Sequence, residues 1–456
     1  MTTIESRSPQ APADLVVTVP DTAPEKVAAA AGVARDAAAD WARGPVPARA
    51  AALHACAEAV VAASGDLTDL VVREVGKPLG EARLEIGRGV AILRYFAQQA
   101  LHPEGEVFPP ADGVSLLHTR RRPHGVVGLI TPWNFPVAIP LWKAAPALAF
   151  GNTVLLKPAP QSSAVALRLA ELFAGALPPG VLTVLTGLGE TGGAVVDAAD
   201  AVSFTGSVAA GQAVARRAVA RGIPVQCEMG GQNAAIVLPD ADQDAAASAI
   251  AAAAMGYAGQ KCTATSRVIV VGDPAAFAER LAAAVEALPV GDPADPATVV
   301  GPVIESRPRE AIRAAVRRAS AGGARVLTGD RQPDGDGWFQ APTVLADLPP
   351  GDDLRTEEYF GPVCVVLPAE SADAAVRVAN DVRYGLVASV YTQNLGAALT
   401  CANQLDVGMV KVNAPTTGVD FHAPFGGAKE SSYGPREQGT AARDFYTRTV
   451  TVTLTP

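Results

Sequence analysis

The chain of 456 residues is poor in the residues that build disulfides and metal centres. It has only five cysteines, at positions 56, 227, 262, 364 and 401, with no C-x-x-C pair and no histidine pattern nearby. Disulfide frameworks and zinc sites need paired or closely spaced ligands, so neither is expected and no metal site is predicted. Free thiols of this kind are typical of a cytoplasmic protein.

The chain also lacks a surplus of positive charge and a long apolar run. Its formal net charge is -9, so it offers no electrostatic footprint for nucleic acid or for an anionic membrane surface. The most apolar window, "AASAIAAAAMGYAG", is short and rich in alanine, which predicts a buried helix and not a membrane span. The first residues show no signal-peptide pattern, so we expect no export.

The periodicity of apolar residues predicts a multidomain α/β protein. From Pro24 to about Gln99 the spacing is helical, with Gly and Pro breaks between successive helices. From "VVGLI" to about Val237, short strands alternate with helices, which predicts a doubly wound parallel sheet. A second alternating region, from "NAAIVLP" to "VGMVKVN", predicts another α/β domain.

The last residues, "FYTRTVTVTL", alternate strictly from Val450 to Leu454. One face of this strand is apolar and the other is threonine. A terminal strand with an open edge commonly finds a partner, so we predict that it takes part in an oligomer. Packing on its own chain is an equally open alternative.

Two stretches carry candidate reactive groups. Cys262 lies in "YAGQKCTATSRVIV", after a glycine break. A thiol at the start of a new helical turn would have a lowered pKa, although a free cysteine taken alone is more often an inert core residue. Glu228 ends a strand before a Gly-Gly turn in "VQCEMGGQNAAIVL", where it could be a general base or only a solvated or ion-paired carboxylate.

Two further stretches carry candidate binding groups. Asn134 is held between Trp133 and Phe135 in "TPWNFP", where its amide could donate to an oxyanion or simply cap the next helix. "SFTGSVAAGQ" puts Ser207 between a strand and a helix, and the backbone amides of a helix start attract phosphate. A plain tight turn would give the same pattern.

Taken together and in order, these motifs resemble those of the aldehyde dehydrogenase superfamily. They are "TPWNFP", "FTGS", "EMGG" for the usual E-L-G-G, "GQKCTATSR", "EEYFGPV" and "PFGG". The resemblance implies an α/β fold, with a Rossmann-type cofactor domain, an α/β catalytic domain and a small β oligomerisation element. It places the cofactor domain at 1–104, 124–228 and 412–430, the catalytic domain at 229–411, and the oligomerisation element at 105–123 and 431–456. The assembly would be a homodimer or a dimer of dimers.

The resemblance also implies a catalytic mechanism. Cys262 would attack the aldehyde carbon, Asn134 would stabilise the oxyanion, and Glu228 would activate the water that hydrolyses the thioester. Relatives that release the product to coenzyme A generally lack this carboxylate. A cofactor-binding protein without turnover would not need all three groups.

A nicotinamide cofactor is implied in the same way. The residues that match cofactor-binding positions are Trp133, Lys157, Pro160, Ser162, Thr205, Gly206, Ser207, Gly230, Glu358 and Phe360. Pro160 stands where NAD-preferring relatives often carry a glutamate, and Ser162 or Ser163 could donate to a 2′-phosphate. We therefore expect NADP to be accepted as well as NAD. A second departure from the family pattern is the amino terminus, which is expected to lack the leading strands.

The stretch "GVDFHAPFGG" resembles the branch that oxidises 2-oxoglutarate semialdehyde (2,5-dioxopentanoate). That branch implies a small acidic aldehyde as substrate, although another aldehyde of a biosynthetic pathway would suit an aromatic tunnel equally well. The tunnel would be lined by Phe135, Ile139, Trp142, Thr263, Phe421 and Phe425. An acidic substrate needs a cationic anchor, for which Arg94 and Arg120 to Arg122 are candidates.

Overall fold

The structure, a computed structural model, describes residues 2–102, 105–329 and 335–456. Its helices are α1 (Pro24–Arg43), α2 (Val46–Ala62), α3 (Ser64–Val75), α4 (Leu79–Gln99), α5 (Ala138–Ala149), α6 (Ser163–Phe173), α7 (Gly189–Ala198), α8 (Val208–Ala220), α9 (Gln243–Met255), α10 (Pro274–Glu286), α11 (Ser306–Ala321), α12 (Ala372–Asn380), α13 (Leu395–Gln404) and α14 (Gly439–Tyr446). Helices α1 to α4 confirm the predicted helical run. No helix in these three described ranges combines the length and apolar character that crossing a bilayer requires.

The strands account for the predicted alternation. They are β1 (Thr3–Arg7), β2 (Leu15–Pro20), β3 (Val107–Phe108), β4 (Leu116–Pro123), β5 (Val126–Ile130), β6 (Thr153–Lys157), β7 (Leu182–Val184), β8 (Ala201–Thr205), β9 (Val225–Glu228), β10 (Asn233–Val237), β11 (Thr265–Val271), β12 (Arg325–Val326), β13 (Thr343–Ala346), β14 (Val363–Ala369), β15 (Tyr384–Gly385), β16 (Val387–Tyr391), β17 (Met409–Val412), β18 (Ala428–Lys429), β19 (Ser432–Tyr433) and β20 (Thr447–Leu454).

The first sheet has the strand order β19-β9-β8-β5-β6-β7, parallel except for β19. Alternate residues of β5 pack on opposite faces: Val127 and Leu129 lie in the core with α5, while Val126 packs against α1 and α7. Helices on both faces explain why its strands are fully buried and continuously apolar, as the sequence predicted. Lys157 is the last residue of β6 and Glu228 the last residue of β9, so both lie at the carboxyl-terminal edge of this sheet.

The second sheet has the order β12-β13-β14-β11-β10-β16-β17, with β12 the antiparallel member. Its central strands carry Ile236, Ile269 and Val366, all buried in one core with α9 and α10. Strand β11 begins three residues after Cys262, so this sheet positions the candidate nucleophile. The predicted second α/β region is confirmed.

A third sheet, β20-β4-β3, is antiparallel and largely exposed. Strand β20 pairs along its whole length with β4 of the same chain, from Thr447 opposite Pro123 to Leu454 opposite Leu116. In the structure the terminal strand therefore packs on its own chain, which is the alternative that the sequence left open. The other edge of β20 is open, and an oligomer built on it stays a prediction.

The predicted domain boundaries also stay a prediction. The boundary near residue 104 lies outside the described residues. Strand β19, which the sequence grouped with the oligomerisation element, pairs with β9 of the first sheet instead.

The expectation that the leading strands are missing is wrong. β1 and β2 form an antiparallel pair, with Ile4 opposite Val19 and both side chains buried. The signal was hidden because "TIESR" offers a single apolar residue and its partner follows after a proline-containing turn.

Candidate active site

Two adjoining cavities open at the carboxyl ends of β5, β8 and β9. One has a volume of about 580 Å³ and is lined by Asn134 and Cys262. The other, of about 640 Å³, is lined by Lys157 and Pro160. Both cavities are lined by Pro132, Trp133, Thr205, Gly206 and Ser207. The motifs from both sheets therefore surround one continuous site.

Asn134 reaches across to the segment that carries Cys262. Its side chain is 3% exposed, and its Nδ2 donates to the carbonyl oxygen of Gln260 at 3.0 Å. An amide nitrogen carries two hydrogens, so a second donor remains beyond this bond. The capping alternative is not what the structure shows, because the N-cap residue of α5 is Val137, three residues after Asn134.

The segment before Cys262 is an unusual left-handed turn. Tyr257, Ala258 and Gly259 have φ values of 54°, 51° and 66°. Such values are costly for residues with a Cβ, so surrounding contacts must hold the turn. Beyond it, Asn233 Nδ2 donates to the carbonyl oxygens of Cys262 and Ala264, each at 2.8 Å, which fixes the backbone of Cys262.

The expected lowering of the pKa of Cys262 is wrong for the structure described. Burial, followed by the carboxyl groups of Glu358 and Glu228, raises the pKa of the thiol to about 12. No helix begins at Cys262, which lies in a turn before β11, so the favourable helix-start field assumed from the sequence is missing. The thiol is protonated at neutral pH unless positive charge enters the site.

Glu228 is a buried carboxylic acid and not a solvated one. It is 2% exposed, and its Oε2 accepts a hydrogen bond from Ser432 Oγ at 2.6 Å. Burial and the nearby carboxylate of Glu437 raise the pKa of Glu228 well above its ordinary value. An acid with a raised pKa holds its proton more tightly than a solvated carboxylic acid does. Its ionisation therefore depends on a change in its surroundings.

Behind Glu228 lies a buried polar cluster that the sequence reasoning missed. Lys143 forms an ion pair with Glu437 and donates to Ser203 Oγ at 2.7 Å. Glu437 Oε2 also accepts from Trp142 Nε1 at 2.8 Å. The available signal was Lys143 itself, the single charge in the apolar sequence "AIPLWKAAPALA" of α5.

The predicted phosphate-binding turn is built as a helix start. Ser207 is the N-cap of α8 and follows Thr205 and Gly206 at the end of β8. Thr205 Oγ1 is buried with no hydrogen-bond partner among the described residues. The same cavity is also lined by three residues that have no side chain, Gly189, Gly192 and Gly193. An elongated cavity with a helix N-terminus and glycine walls fits a dinucleotide.

Two predicted cofactor residues lie on the Cys262 side. Glu358 Oε1 accepts a hydrogen bond from the backbone N–H of Gly231 at 2.9 Å, and burial raises the pKa of Glu358 to about 7. A Cβ on Gly230 would collide with the same carboxylate, so Glu358 could keep this position only beside a glycine. Phe360 meets Trp133 edge to face, with ring centroids 5.7 Å apart.

The structure does not bring Ser162 or Ser163 into the cavity. Both side chains are buried, and their hydroxyls donate to the carbonyl oxygens of Ala159 and Pro160. Pro160 itself lines the cavity. The serines are turned inward because they begin α6, where their hydroxyls bond within the preceding turn.

The predicted substrate tunnel is only partly assembled. Ile139 lines the cavity with Cys262. Trp142 and Phe425 are buried, with ring centroids 5.8 Å apart, and neither lines the cavity with Cys262, so their place in a substrate tunnel stays a prediction. Thr263 is also buried, and Phe135 and Phe421 pack against the core of the first sheet. Spacing in the sequence did not reveal which face of each aromatic residue is covered.

Comparison with known proteins decides the family. The model of the aldehyde dehydrogenase family matches residues 1–452. The chain belongs to the aldehyde dehydrogenase family. It is 39% identical over 452 residues to the alpha-ketoglutaric semialdehyde dehydrogenase of Bacillus subtilis (strain 168), covering 97% of this chain and 93% of the relative.

Solved aldehyde dehydrogenases share the fold throughout. An NAD-dependent aldehyde dehydrogenase from Sinorhizobium meliloti is 36% identical, with a TM-score of 0.95 over 100% of this chain and 91% of that one. The NADP-dependent glyceraldehyde-3-phosphate dehydrogenase from Bacillus halodurans C-125, complexed with NADP, is 33% identical, with a TM-score of 0.95 over 100% and 96%. This aldehyde dehydrogenase is therefore an enzyme that uses a nicotinamide cofactor.

The pKa values predict how the free thiol of this aldehyde dehydrogenase reacts. Replacing Glu358 by glutamine removes a negative charge that disfavours the thiolate, so the pKa of Cys262 should fall. We expect alkylation of the cofactor-free Glu358→Gln variant by iodoacetamide at pH 8 to be about threefold to tenfold faster than in the wild type. The difference should shrink below pH 6, where Glu358 is protonated and uncharged in the wild type.

The matched control is Glu357→Gln, which removes the adjacent, half-exposed carboxylate that pairs with Arg383. Its alkylation profile should follow that of the wild type. Slower alkylation of Glu358→Gln at pH 8 would contradict the electrostatic account.

Proposed function

We propose that this enzyme oxidises an aldehyde to a carboxylic acid through a covalent Cys262 intermediate that water hydrolyses. The observation that carries the proposal is the convergence of Cys262 and Asn134 on one cavity wall, with the buried carboxyl group of Glu228 close enough to influence the thiol. The adjoining cavity has the features of a dinucleotide site.

The first step is attack of the Cys262 sulfur on the aldehyde carbon, which forms a C–S bond as the C=O π bond opens; the proton lost by the thiol ends on the aldehyde oxygen of the thiohemiacetal. The negative charge that develops on the aldehyde oxygen is stabilised by the free N–H of the Asn134 amide and by the backbone N–H of Cys262. When bound, the nicotinamide cofactor supplies the hydride acceptor that turns the thiohemiacetal into a thioester.

The second step releases the acid. Glu228 removes a proton from a water molecule, which attacks the thioester carbon, and the C–S bond breaks as Cys262 leaves. The raised pKa makes Glu228, once ionised, a better proton acceptor than a solvated carboxylate. Ser432 orients the carboxyl group through its hydrogen bond to Oε2.

Replacing Glu228 by glutamine should separate the two steps. We expect a burst of about one reduced cofactor per active site, followed by turnover slowed about 10²-fold to 10³-fold, because only the hydrolysis needs the base. Stopped-flow absorbance at 340 nm measures both phases. Cys262→Ala should show neither phase, and an unchanged steady-state rate in Glu228→Gln would rule out its role as the base.

We propose further that the enzyme accepts NADP. Within the described residues, no carboxylate lines the cavity that holds Lys157 and Pro160, whereas Lys157 and Arg217 both line it. Burial lowers the pKa of Lys157 to about 8, so added negative charge nearby would stabilise its charged form. A 2′-phosphate would meet the charges of Lys157 and of Arg217, the second of which already pairs with Asp197.

An aldehyde panel assayed with NAD and NADP tests this proposal together with the reaction itself. We expect kcat/KM with NADP to be comparable to, or greater than, the value with NAD. The variant Pro160→Glu, which places a carboxylate at the ribose position, should shift the ratio toward NAD by at least about tenfold, because like charges repel. A large advantage of NAD over NADP in the wild type would contradict the proposal.

For the substrate, we propose a small acidic semialdehyde such as 2-oxoglutarate semialdehyde. The name of the Bacillus subtilis relative supports this class. Of the predicted anchors, Arg94 pairs with Glu58 and Arg121 with Asp444. We propose a different cationic pair as the anchor.

That pair is Arg88 on α4 and Lys411 on β17. Lys411 Nζ donates to the carbonyl oxygen of Thr417 at 2.6 Å, and both burial and the charge of Arg88 lower its pKa. The loop that follows β17 approaches Cys262. In this loop, Thr416 Oγ1 lies 2.8 Å from Oγ1 of Thr265, which is three residues past Cys262. Two neighbouring cations with one opposing carboxylate, Asp420, favour an anionic ligand.

The variant Arg88→Met should raise KM for 2-oxoglutarate semialdehyde by about tenfold or more, because a hydrogen bond to a charged group is lost. KM for pentanal, a neutral aldehyde of equal chain length, should not change. Arg83→Met, on an exposed part of the same helix, is the control. Equal effects on the two aldehydes would contradict the anchor.

A further inference from the structure

A buried charge cluster lies beside the site without touching the cavity. Lys77 and Glu85 form an ion pair in which both side chains are almost completely inaccessible to solvent. Burial lowers the pKa of Lys77, while the charge of Glu85 opposes that shift. A buried ion pair is weak evidence for stability in its own right, so its contacts deserve a specific explanation.

Glu85 holds the segment that carries Asn134. Its Oε1 accepts hydrogen bonds from the backbone N–H groups of Val137 and Ala138, at 2.8 and 2.9 Å. These groups open α5, three and four residues after Asn134, and no side chain of α5 caps them. A carboxylate at this helix start satisfies donors that would otherwise be buried without partners.

Lys77 contacts both halves of the site. Its Nζ lies 3.8 Å from the ring centroid of Phe135, the neighbour of Asn134, and 4.8 Å from that of Tyr257, the first residue of the left-handed turn. Tyr257 is fully buried, and its hydroxyl donates to the carbonyl oxygen of Val75. A desolvated ammonium between two aromatic faces attracts both of them.

A parallel contact fixes the residue next to the nucleophile. Glu81, one turn before Glu85 on α4, pairs with Lys261 at 2.7 Å. The Cys262 segment is thus tied at two points, through Tyr257 to Lys77 just before α4 and through Lys261 to Glu81 on α4. The Asn134 segment is tied to the same helix through Glu85.

We propose that Lys77 and Glu85 are positioning residues that set the distance between Asn134 and Cys262. This inference rests on the proposed function, because it takes Asn134 as the donor to the oxyanion. The left-handed turn presents the Gln260 carbonyl to Asn134, and the cation holds Tyr257 of that turn against Phe135. Loss of the cation frees both segments to move apart, although no catalytic group is removed.

A double-mutant cycle tests the proposal. We expect Asn134→Ala to slow the pre-steady-state burst about 10²-fold or more, and Lys77→Met to slow it about 10-fold to 100-fold with little change in KM. In the Asn134→Ala background, Lys77→Met should add less than about a threefold loss, because its effect passes through Asn134. Glu85→Gln, which keeps an acceptor for Val137 and Ala138, should lose less than Lys77→Met.

The control is Arg73→Met, which removes a solvent-exposed ion pair between α3 and Asp14 without touching either segment. It should leave the burst unchanged. Equal losses from Lys77→Met in both backgrounds would assign the pair a purely structural role and overturn the proposal. If Lys77→Met does not fold, the same cycle with Glu85→Gln decides by the same criterion. Should Asn134→Ala alone leave the burst unchanged, the proposed function fails at Asn134, and a positioning role through that residue fails with it.

Discussion

The hydrogen bond from the Asn134 amide to the Gln260 carbonyl joins the two halves of the site. Asn134 follows β5 of the first sheet, whereas Gln260 precedes β11 of the second. Each half is held by buried contacts of its own, Glu85 at the start of α5 and Asn233 at the Cys262 backbone. The geometry of the reaction therefore depends on how two separately built sheets meet.

Exclusion of water is the second constraint on the site. Burial is the first cause of the raised pKa of Cys262, of Glu228 and of Glu358. In such surroundings acidic groups stay neutral until a positive charge or a proton acceptor arrives. The cofactor-free site thus disfavours the thiolate of Cys262.

Much of the fold could be predicted because the central strands of the two large sheets are buried and many helices are amphipathic, which gives strong periodic signals. Strand β1 was missed because only one of its residues, Ile4, is apolar, and β2 was missed with it although "LVVTVP" is rich in β-branched residues. Lys143 and Glu437 were missed because they belong to segments far apart in the chain, and only folding brings them together. For Ser162, the residue type suggested a ligand contact, but its hydroxyl donates to the carbonyl oxygen of Ala159 instead.

The sequence by itself determined the family and the order of the sheets along the chain, and it predicted the groups around Cys262. These follow from local patterns of apolar residues and from short motifs, each of which can be recognised within one stretch of the sequence. Only the tertiary structure decided the protonation of Cys262, the partners of Glu228 and the contacts of Lys77 with Phe135 and Tyr257. Burial and electrostatic fields are sums over neighbours from distant segments, and no local stretch of sequence contains that sum.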